Sequence, residues 1–213
     1  MKTDELVSML ATGAGPVESG TGTRRLVTAI GWGAFGATLL MALLLGVRND
    51  LAAVVSRPMF WVKLVYVVCL ALASLYAVLR LSRPGLSLSG VALALAAPVL
   101  LMWTLAALAL ALAVPDQRVN LLYGRTWTSC PWLIATLSVP AFVAIIWAMQ
   151  GLAPTQLRLA GAAAGLASGA IGAVVYSLHC PELGAPFLGS WYLLGVLIPT
   201  AIGALFGPRL LRW

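Results

Sequence analysis

The sequence has few charged residues and almost no histidine. Of its 213 residues, 9% are Asp, Glu, Lys or Arg and one is His, whereas soluble domains carry about 25% charged residues. Hydrophobic residues make up 62% of the chain, and the mean hydropathy is +1.00. Such an abundance of apolar residues exceeds the interior positions of a soluble domain of this length. The composition therefore excludes a soluble globular protein and indicates that lipid surrounds most of the chain.

The motifs of common catalytic sites are also missing. The sequence contains no Walker loop, no G-x-S-x-G, no H-E-x-x-H and no paired carboxylates inside an apolar run. Ion-coupled transporters need ionisable groups within their spans, and here Lys63 is expected near a helix end, where its side chain reaches the interface. The basic residues are scattered singly, which argues against direct nucleic-acid binding. We expect a protein that is not an enzyme and that has no resident cofactor.

Six apolar runs are long enough to cross a bilayer as helices. A hydrocarbon core about 30 Å thick needs roughly 20 residues per helix, and the runs cover residues 26–47, 60–79, 88–114, 131–149, 157–178 and 188–206. They show no alternation of apolar and polar residues, which a β-barrel strand would need. The sequence predicts an all-α, polytopic membrane protein with a six-helix bundle in residues 26–213 and a tail in residues 1–25.

Charge and aromatic residues indicate the orientation of this bundle. Eight Lys and Arg residues share a predicted side with the N-terminus and five lie on the other side, so the positive-inside rule predicts that both termini are cytoplasmic. Aromatic residues near the predicted outer ends suit an interfacial belt, namely Trp61, Tyr123, Trp127, Trp132, Trp191 and Tyr192.

Small residues recur every four positions on the last two spans. Such rows let helix backbones approach closely, and we expect them to pack within one bundle rather than between copies. The two rows are Gly161, Gly165 and Gly169, and then Gly195, Pro199, Gly203 and Gly207.

Two cysteines stand at predicted outer boundaries, each directly before a proline. Cys130 begins the fourth span and Cys180 follows the fifth, so the antiparallel course of these helices predicts that the two meet. The sequence is compatible with both a permanent disulfide and a switchable sensor. Thiolates also bind soft metals, with His179 and Glu182 as possible auxiliary ligands. A structural zinc site is a less favoured interpretation, because such a site needs four ligands. Cys69 lies mid-span and suits apolar packing.

The N-terminal tail has the pattern of a short amphipathic helix. Asp4 and Glu5 suit a first turn, and Leu6, Met9 and Leu10 share one face. A helix of about nine residues is not stable alone in water, so it is expected to fold against a protein partner or the membrane surface. A disordered tail without a role is the remaining alternative.

Several of these features occur together in one known family. The opening Met1-Lys2-Thr3-Asp4-Glu5-Leu6, a Pro16-Val17 before the first span, six spans, and two cysteine motifs run along the whole chain. The motifs are Thr126-Trp127-Thr128-Ser129-Cys130-Pro131 and His179-Cys180-Pro181-Glu182. On these residues the sequence resembles the NrsF-type family of inner-membrane anti-sigma factors.

The resemblance implies a multi-pass protein of the bacterial inner membrane that holds an extracytoplasmic-function sigma factor through its N-terminal segment. Cys130 and Cys180 match the family's cysteines that sense heavy metals or oxidants, which implies at most a transient metal ion there. The sigma-binding region would then contain the tail residues Asp4, Glu5, Leu6, Met9 and Leu10. Competing classes are a small-molecule transporter, a structural membrane protein with a fixed Cys130–Cys180 disulfide, and a haem or quinone enzyme.

Overall fold

The computed structural model describes residues 3–12, 21–48, 50–83, 85, 88–152 and 154–212, without the side chains of Leu6 and Leu10. Within these residues the secondary structure is helical and contains no strand, which confirms the all-α prediction. The described helices are α1 (Thr3–Thr12), α2 (Thr21–Leu44), α3 (Leu51–Val55), α4 (Pro58–Leu81), α5 (Val91–Leu112), α6 (Pro115–Tyr123), α7 (Cys130–Gln150), α8 (Leu157–Tyr176) and α9 (Ala185–Leu210). Helix α9 includes one π-helical turn, Leu188–Tyr192.

Six of the described helices are long and apolar enough to cross a membrane, namely α2, α4, α5, α7, α8 and α9. Each lies on one of the six apolar runs, and their ends differ from those of the runs by a few residues. The largest difference is at α2, which begins at Thr21 because its polar first turn extends the helix beyond the apolar run. The short helices α3 and α6 lie between spans and were not predicted; α6 begins at Pro115, whose ring suits a first helical turn.

Helix α8 is the centre of the bundle. In its most apolar stretch 78% of the residues are buried, compared with 6% in α5 at the periphery. Its glycines bring α9 into backbone contact, since a Cβ at Gly161 would overlap the backbone of Gly203, and a Cβ at Gly165 would overlap that of Pro199. The two rows of small residues therefore pack against each other inside the bundle, as predicted.

Helix α2 packs along α7. Its buried residues recur every three or four positions and form one face, Leu26, Ala29, Gly33, Ala37 and Met41. A Cβ built on Gly33 would lie 2.6 Å from the Ala141 Cα, and one on Gly36 would lie 2.9 Å from the Pro140 Cβ. The helix that follows the N-terminal tail is therefore in close contact with the helix that begins at Cys130.

The tail contains a helix, α1, whose amphipathic character stays a prediction. Asp4 and Glu5 occupy its first turn, and the side chains of Val7 and Met9 are about 60% exposed (59% and 61%). Residues 13–20, which include the predicted Pro16-Val17 feature, lie outside the described residues, as do Met1 and Lys2. The docking of an amphipathic face of α1 stays a prediction.

Candidate functional site

Cys130 and Cys180 meet at one end of the bundle, called here the cysteine end. Cys130 is the first residue of α7, with Pro131 in the first turn behind it. Cys180 follows α8, and its N–H donates to the Tyr176 carbonyl at 3.0 Å. Both side chains are completely buried, both are free thiols, and they lie next to each other. The structure therefore brings the two predicted cysteines together.

Two tyrosines enclose the thiol pair. The rings of Tyr176 and Tyr192 lie 5.7 Å apart, and both hydroxyls lie beside the cysteine sulfurs. Among the described residues, the Tyr192 hydroxyl has no partner in good hydrogen-bond geometry. The sequence placed Tyr192 in an interfacial belt, and this is wrong: it is fully buried, because the turn that carries it faces the cysteine pair. Its neighbour Trp191 is half-buried, and its Nε1–H donates to the Leu122 carbonyl at 2.9 Å.

Lys63 lies inside the cysteine end and is completely buried. Its Nζ donates to the Cys180 carbonyl at 3.0 Å and to the Glu182 carbonyl at 3.2 Å, and it lies 5.2 Å from the centre of the Tyr192 ring. The expectation that Lys63 reaches the interface is therefore wrong. It lies in the second turn of α4 and points into the bundle, where the backbone carbonyls of Cys180 and Glu182 accept its hydrogen bonds. A charged residue inside an apolar run is the sequence feature that could have indicated this buried position.

Arg48 binds the same carbonyl from another direction. Its Nη1 donates to the Cys180 oxygen at 3.2 Å, while Nε and Nη2 donate to Asp50 at 2.6 and 2.7 Å. This hydrogen bond raises the pKa of Arg48 and lowers the pKa of Asp50. Next to it, His179 Nδ1 lies 2.9 Å from the Gly46 carbonyl, and because a carbonyl only accepts, Nδ1 carries the proton. The segment after α2 is thus bound to residues 179 and 180.

The surroundings of Cys180 favour its thiolate. The hydrogen bond from Cys130 lowers the pKa of the Cys180 thiol and burial opposes this, while the Lys63 ammonium lowers the pKa further. Thiolates are the nucleophiles and the metal ligands among cysteine species. A thiolate at Cys180 would therefore lie close to both the Lys63 cation and the Cys130 thiol.

The two predicted auxiliary ligands are used for other contacts. His179 binds Gly46, and Glu182 Oε1 accepts the Arg125 backbone N–H at 2.7 Å. In the described ranges no three His, Cys, Asp or Glu residues are grouped to hold a metal ion. The donors that the structure brings together are the two sulfurs, which suit a soft metal ion better than zinc in a four-ligand site.

The other predicted residues lie outside this cluster. Cys69 is exposed and lines an apolar cavity of about 600 Å³ between α4 and α5. The described tail residues Asp4, Glu5 and Met9 belong to α1, and all three are exposed. The site residues that the sequence did not identify are Arg48, Lys63, Tyr176 and Tyr192.

Comparison with known families decides the class of the protein. The family described as NrsF, negative regulator of sigma F, matches residues 10–213. The chain belongs to the NrsF family. It is 60% identical to the probable anti-sigma-F factor NrsF of Azospira oryzae over 213 residues, which are the whole of both chains. It is 42% identical to the anti-sigma-F factor NrsF of Caulobacter vibrioides over 215 residues, again the whole of both chains. No solved structure matches it.

Membership of the NrsF family confirms the resemblance found in the sequence. The chain is a negative regulator of a sigma factor, which is a regulatory and not an enzymatic function. The transporter and the haem or quinone enzyme are not supported by this membership. The structural question is then how the cysteine end and the tail serve such a regulator.

Proposed function

We propose that this protein is an integral membrane anti-sigma factor that holds its sigma factor through the N-terminal segment and releases it when the Cys130–Cys180 pair reacts. The observation that carries the proposal is the cysteine pair itself: two buried free thiols lie next to each other, and Lys63 binds the Cys180 carbonyl beside them. Buried thiols without a role are inert and apolar in their surroundings, whereas this pair sits among charged and hydroxyl groups.

A membrane location is supported by the surface of the bundle. The six long helices carry large apolar side chains on their outer faces, and Leu43, Leu112 and Leu205 are 75%, 79% and 75% exposed. In water such faces would aggregate, whereas in hydrocarbon they are solvated. Since sigma factors act on RNA polymerase inside the cell, the tail is cytoplasmic and the cysteine end faces outward across the bacterial inner membrane.

The tail is proposed as the sigma-binding segment. Helix α1 is too short to be stable alone in water, and its exposed Val7 and Met9 offer an apolar surface beside the acidic Asp4 and Glu5. Leu6 and Leu10 share the predicted apolar face. A groove on the sigma factor would bury this face in the helix-in-groove mode. The partner is proposed to be a sigma factor of the extracytoplasmic-function class, and both relatives are named as anti-sigma-F factors.

The release signal is proposed to be a reaction of the two sulfurs. With a peroxide, the Cys180 thiolate attacks one oxygen, the O–O bond breaks, and the departing hydroxide takes a proton to leave as water. The Cys130 thiol then attacks the sulfenic sulfur, forming the S–S bond and releasing a second water. The sulfurs lose two electrons and the peroxide gains them. With a soft metal ion, both thiols lose their protons and bind the metal without electron transfer.

The partner assignment is tested by deleting residues 2–17. Full-length and shortened proteins are expressed with an affinity tag at the C-terminus, and membrane insertion is checked by fractionation. The full chain is expected to retain a sigma factor through purification, and the shortened chain to insert normally but to lose it and derepress the regulon. Retention of the sigma factor by the shortened chain would refute tail binding.

The cysteine assignment is tested by three single substitutions in the full-length protein. Cys130→Ser and Cys180→Ser are each expected to abolish release by oxidant or soft metal. Cys69→Ser is the matched control, because Cys69 lies in another part of the bundle, and it should respond like the wild type. An unchanged response in both test variants would refute the sensor, and a pair already cross-linked in unstressed cells would indicate a structural disulfide.

A further inference from the structure

The backbone carbonyl of Cys180 is bound by two cations. Lys63 Nζ donates to it at 3.0 Å and Arg48 Nη1 at 3.2 Å. Lys63 comes from α4, and Arg48 comes from the segment directly after α2. We propose that Arg48 and Lys63 act as a relay that couples the state of the Cys130–Cys180 pair to the position of α2, and through α2 to the sigma-binding tail. This inference rests on the proposed function.

The two cations hold a segment that has little regular structure. Residues 180–184 connect α8 to α9 without helical turns, and Lys63 binds both the Cys180 and the Glu182 carbonyls of this segment. Burying an ammonium group is costly unless hydrogen bonds and charges compensate for the lost water. We infer that the buried Lys63 serves to hold these two carbonyls in fixed positions. Any reaction that moves Cys180 must disturb them.

A movement of the Cys180 carbonyl would reach α2 through its hydrogen bond from Arg48. The Leu45 and Gly46 N–H groups donate to the Met41 carbonyl at 2.9 and 3.0 Å, so this segment is an extension of the last turn of α2. The Gly46 carbonyl in turn accepts the His179 Nδ1–H. Two hydrogen bonds, one from Arg48 to the Cys180 carbonyl and one from His179 to the Gly46 carbonyl, therefore tie the end of α2 to residues 179 and 180.

Helix α2 is also attached at its other end to the helix that carries Cys130. Arg25 Nη2 donates to the Trp147 carbonyl of α7 at 2.9 Å, and the Arg25 guanidinium lies 4.3 Å from the Trp147 ring centre. The 24 residues of α2 span about 36 Å at 1.5 Å per residue. A rigid helix of that length reaches from the cysteine end to the start of the tail.

The relay requires two positions of α2 with different affinities for the sigma factor. Modification of the pair favours one position, and sigma binding favours the other. Coupling of this kind is reciprocal: if modification weakens sigma binding by a given factor, bound sigma factor must weaken metal binding at the pair by the same factor. The relay therefore predicts effects that can be measured at both ends of the molecule.

The test compares sigma affinity in two states of the pair. Full-length protein is placed in lipid nanodiscs, the sigma dissociation constant is measured with the thiols reduced and after cross-linking by peroxide, and thiol loss is confirmed by mass spectrometry. In the wild type the ratio of the two constants is expected to be at least about tenfold, within the usual range of allosteric coupling. In Arg48→Met the thiols should still cross-link, while the ratio falls below about twofold.

Arg57→Met is the matched control. Arg57 is exposed near the same end of the bundle, so its removal changes the local charge without touching the Cys180 carbonyl, and the wild-type ratio should persist. Asp50→Asn is the second test variant, because it leaves Arg48 in place while weakening its anchor. If Arg48→Met does not fold, an intermediate ratio in Asp50→Asn supports the relay.

The outcomes separate this inference from the proposed function. A wild-type ratio of about one, both after cross-linking by peroxide and with a soft metal ion bound to the pair, refutes the proposed release and the relay with it. A tenfold wild-type ratio that persists in Arg48→Met or, if that variant does not fold, in Asp50→Asn refutes the relay and leaves the anti-sigma function intact. A collapse of the ratio in Arg57→Met as well would show a general charge effect and would also refute the relay.

Discussion

Replacing Gly33 with alanine tests whether the α2–α7 contact is as close as the structure shows. The new Cβ would lie 2.6 Å from the Ala141 Cα, where 3.4 Å begins ordinary van der Waals contact. Because the clashing atom belongs to the backbone of α7, the two helices must move apart by about 0.8 Å to accept it. A gap of that size removes a quarter to a half of the dispersion energy of the neighbouring contacts.

The expected change in stability follows from two opposing terms. Overpacking of this kind costs about 1 to 3 kcal/mol, and alanine gains about 0.5 to 1 kcal/mol over glycine inside a helix. The net loss for Gly33→Ala is then up to about 2.5 kcal/mol, and the middle of the two ranges gives about 1 kcal/mol. The matched control is Gly31→Ala on the same helix, where a Cβ meets nothing within 4 Å. Only the helix-forming gain remains at that position.

Thermal unfolding of both variants in detergent provides the assay. A change of 1 kcal/mol shifts the Tm of a chain of this length by about 2 to 4 °C. Gly33→Ala should unfold below the wild type by about 2 to 4 °C for a loss of about 1 kcal/mol and by up to about 10 °C at the upper limit, and Gly31→Ala about 1 to 4 °C above it. Equal shifts of the same sign in the two variants would refute the close contact between α2 and α7.

Three further predictions concern charges and thiols. Arg25→Lys should lower the Tm, because an ammonium group cannot reproduce the guanidinium's stacking on α7, which is worth about 0.5 to 2 kcal/mol. Cys130→Ala should raise the pKa of the Cys180 thiol, because it removes the hydrogen-bond donor, so alkylation of Cys180 at neutral pH should slow. The hydrogen bond from Arg48 lowers the pKa of Asp50 below its ordinary value of 3.8. The contact is therefore present above that value and is lost as the pH falls through the lowered pKa. In Arg48→Met the titration midpoint of the Asp50 carboxyl, followed by carbon NMR, should rise.

Each of these predictions has an outcome that contradicts it. Arg24→Lys changes an exposed neighbour of Arg25 and should leave the Tm unchanged, so an equal loss in both would contradict the stacking argument. Unchanged alkylation in Cys130→Ala would contradict the thiol hydrogen bond. An Asp50 midpoint that is insensitive to Arg48 would contradict the contact seen in the structure.

The sequence predicted the helices well because membrane spans depend on a simple property. A run of about 20 apolar residues has few alternatives to a helix in lipid, so the six runs mark the six long helices. The adjacency of Cys130 and Cys180 followed from the antiparallel course of consecutive helices. The glycine rows predicted close packing within the bundle, since a small residue every four positions defines one helix face, and the structure shows that the two rows contact each other.

The sequence could not predict the cation cluster. Lys63 is five residues after Pro58, a position from which a side chain can point either to the interface or into the bundle, and only the rotation of α4 decides between them. Tyr192 has the same ambiguity on α9. The contact of Arg48 with Cys180 joins residues 132 positions apart, and no local pattern predicts such a pair.

One measurement tests most directly whether reaction of the cysteine pair releases the sigma factor. The complex of full-length protein and sigma factor is assembled in nanodiscs, a soft metal ion or peroxide is added in steps, and the same samples are analysed for modified thiols and for free sigma factor. The released fraction should rise in proportion to the modified pair and should stay at zero in the double variant Cys130→Ser, Cys180→Ser. Complete thiol modification without release, or equal release from the double variant, would contradict the account.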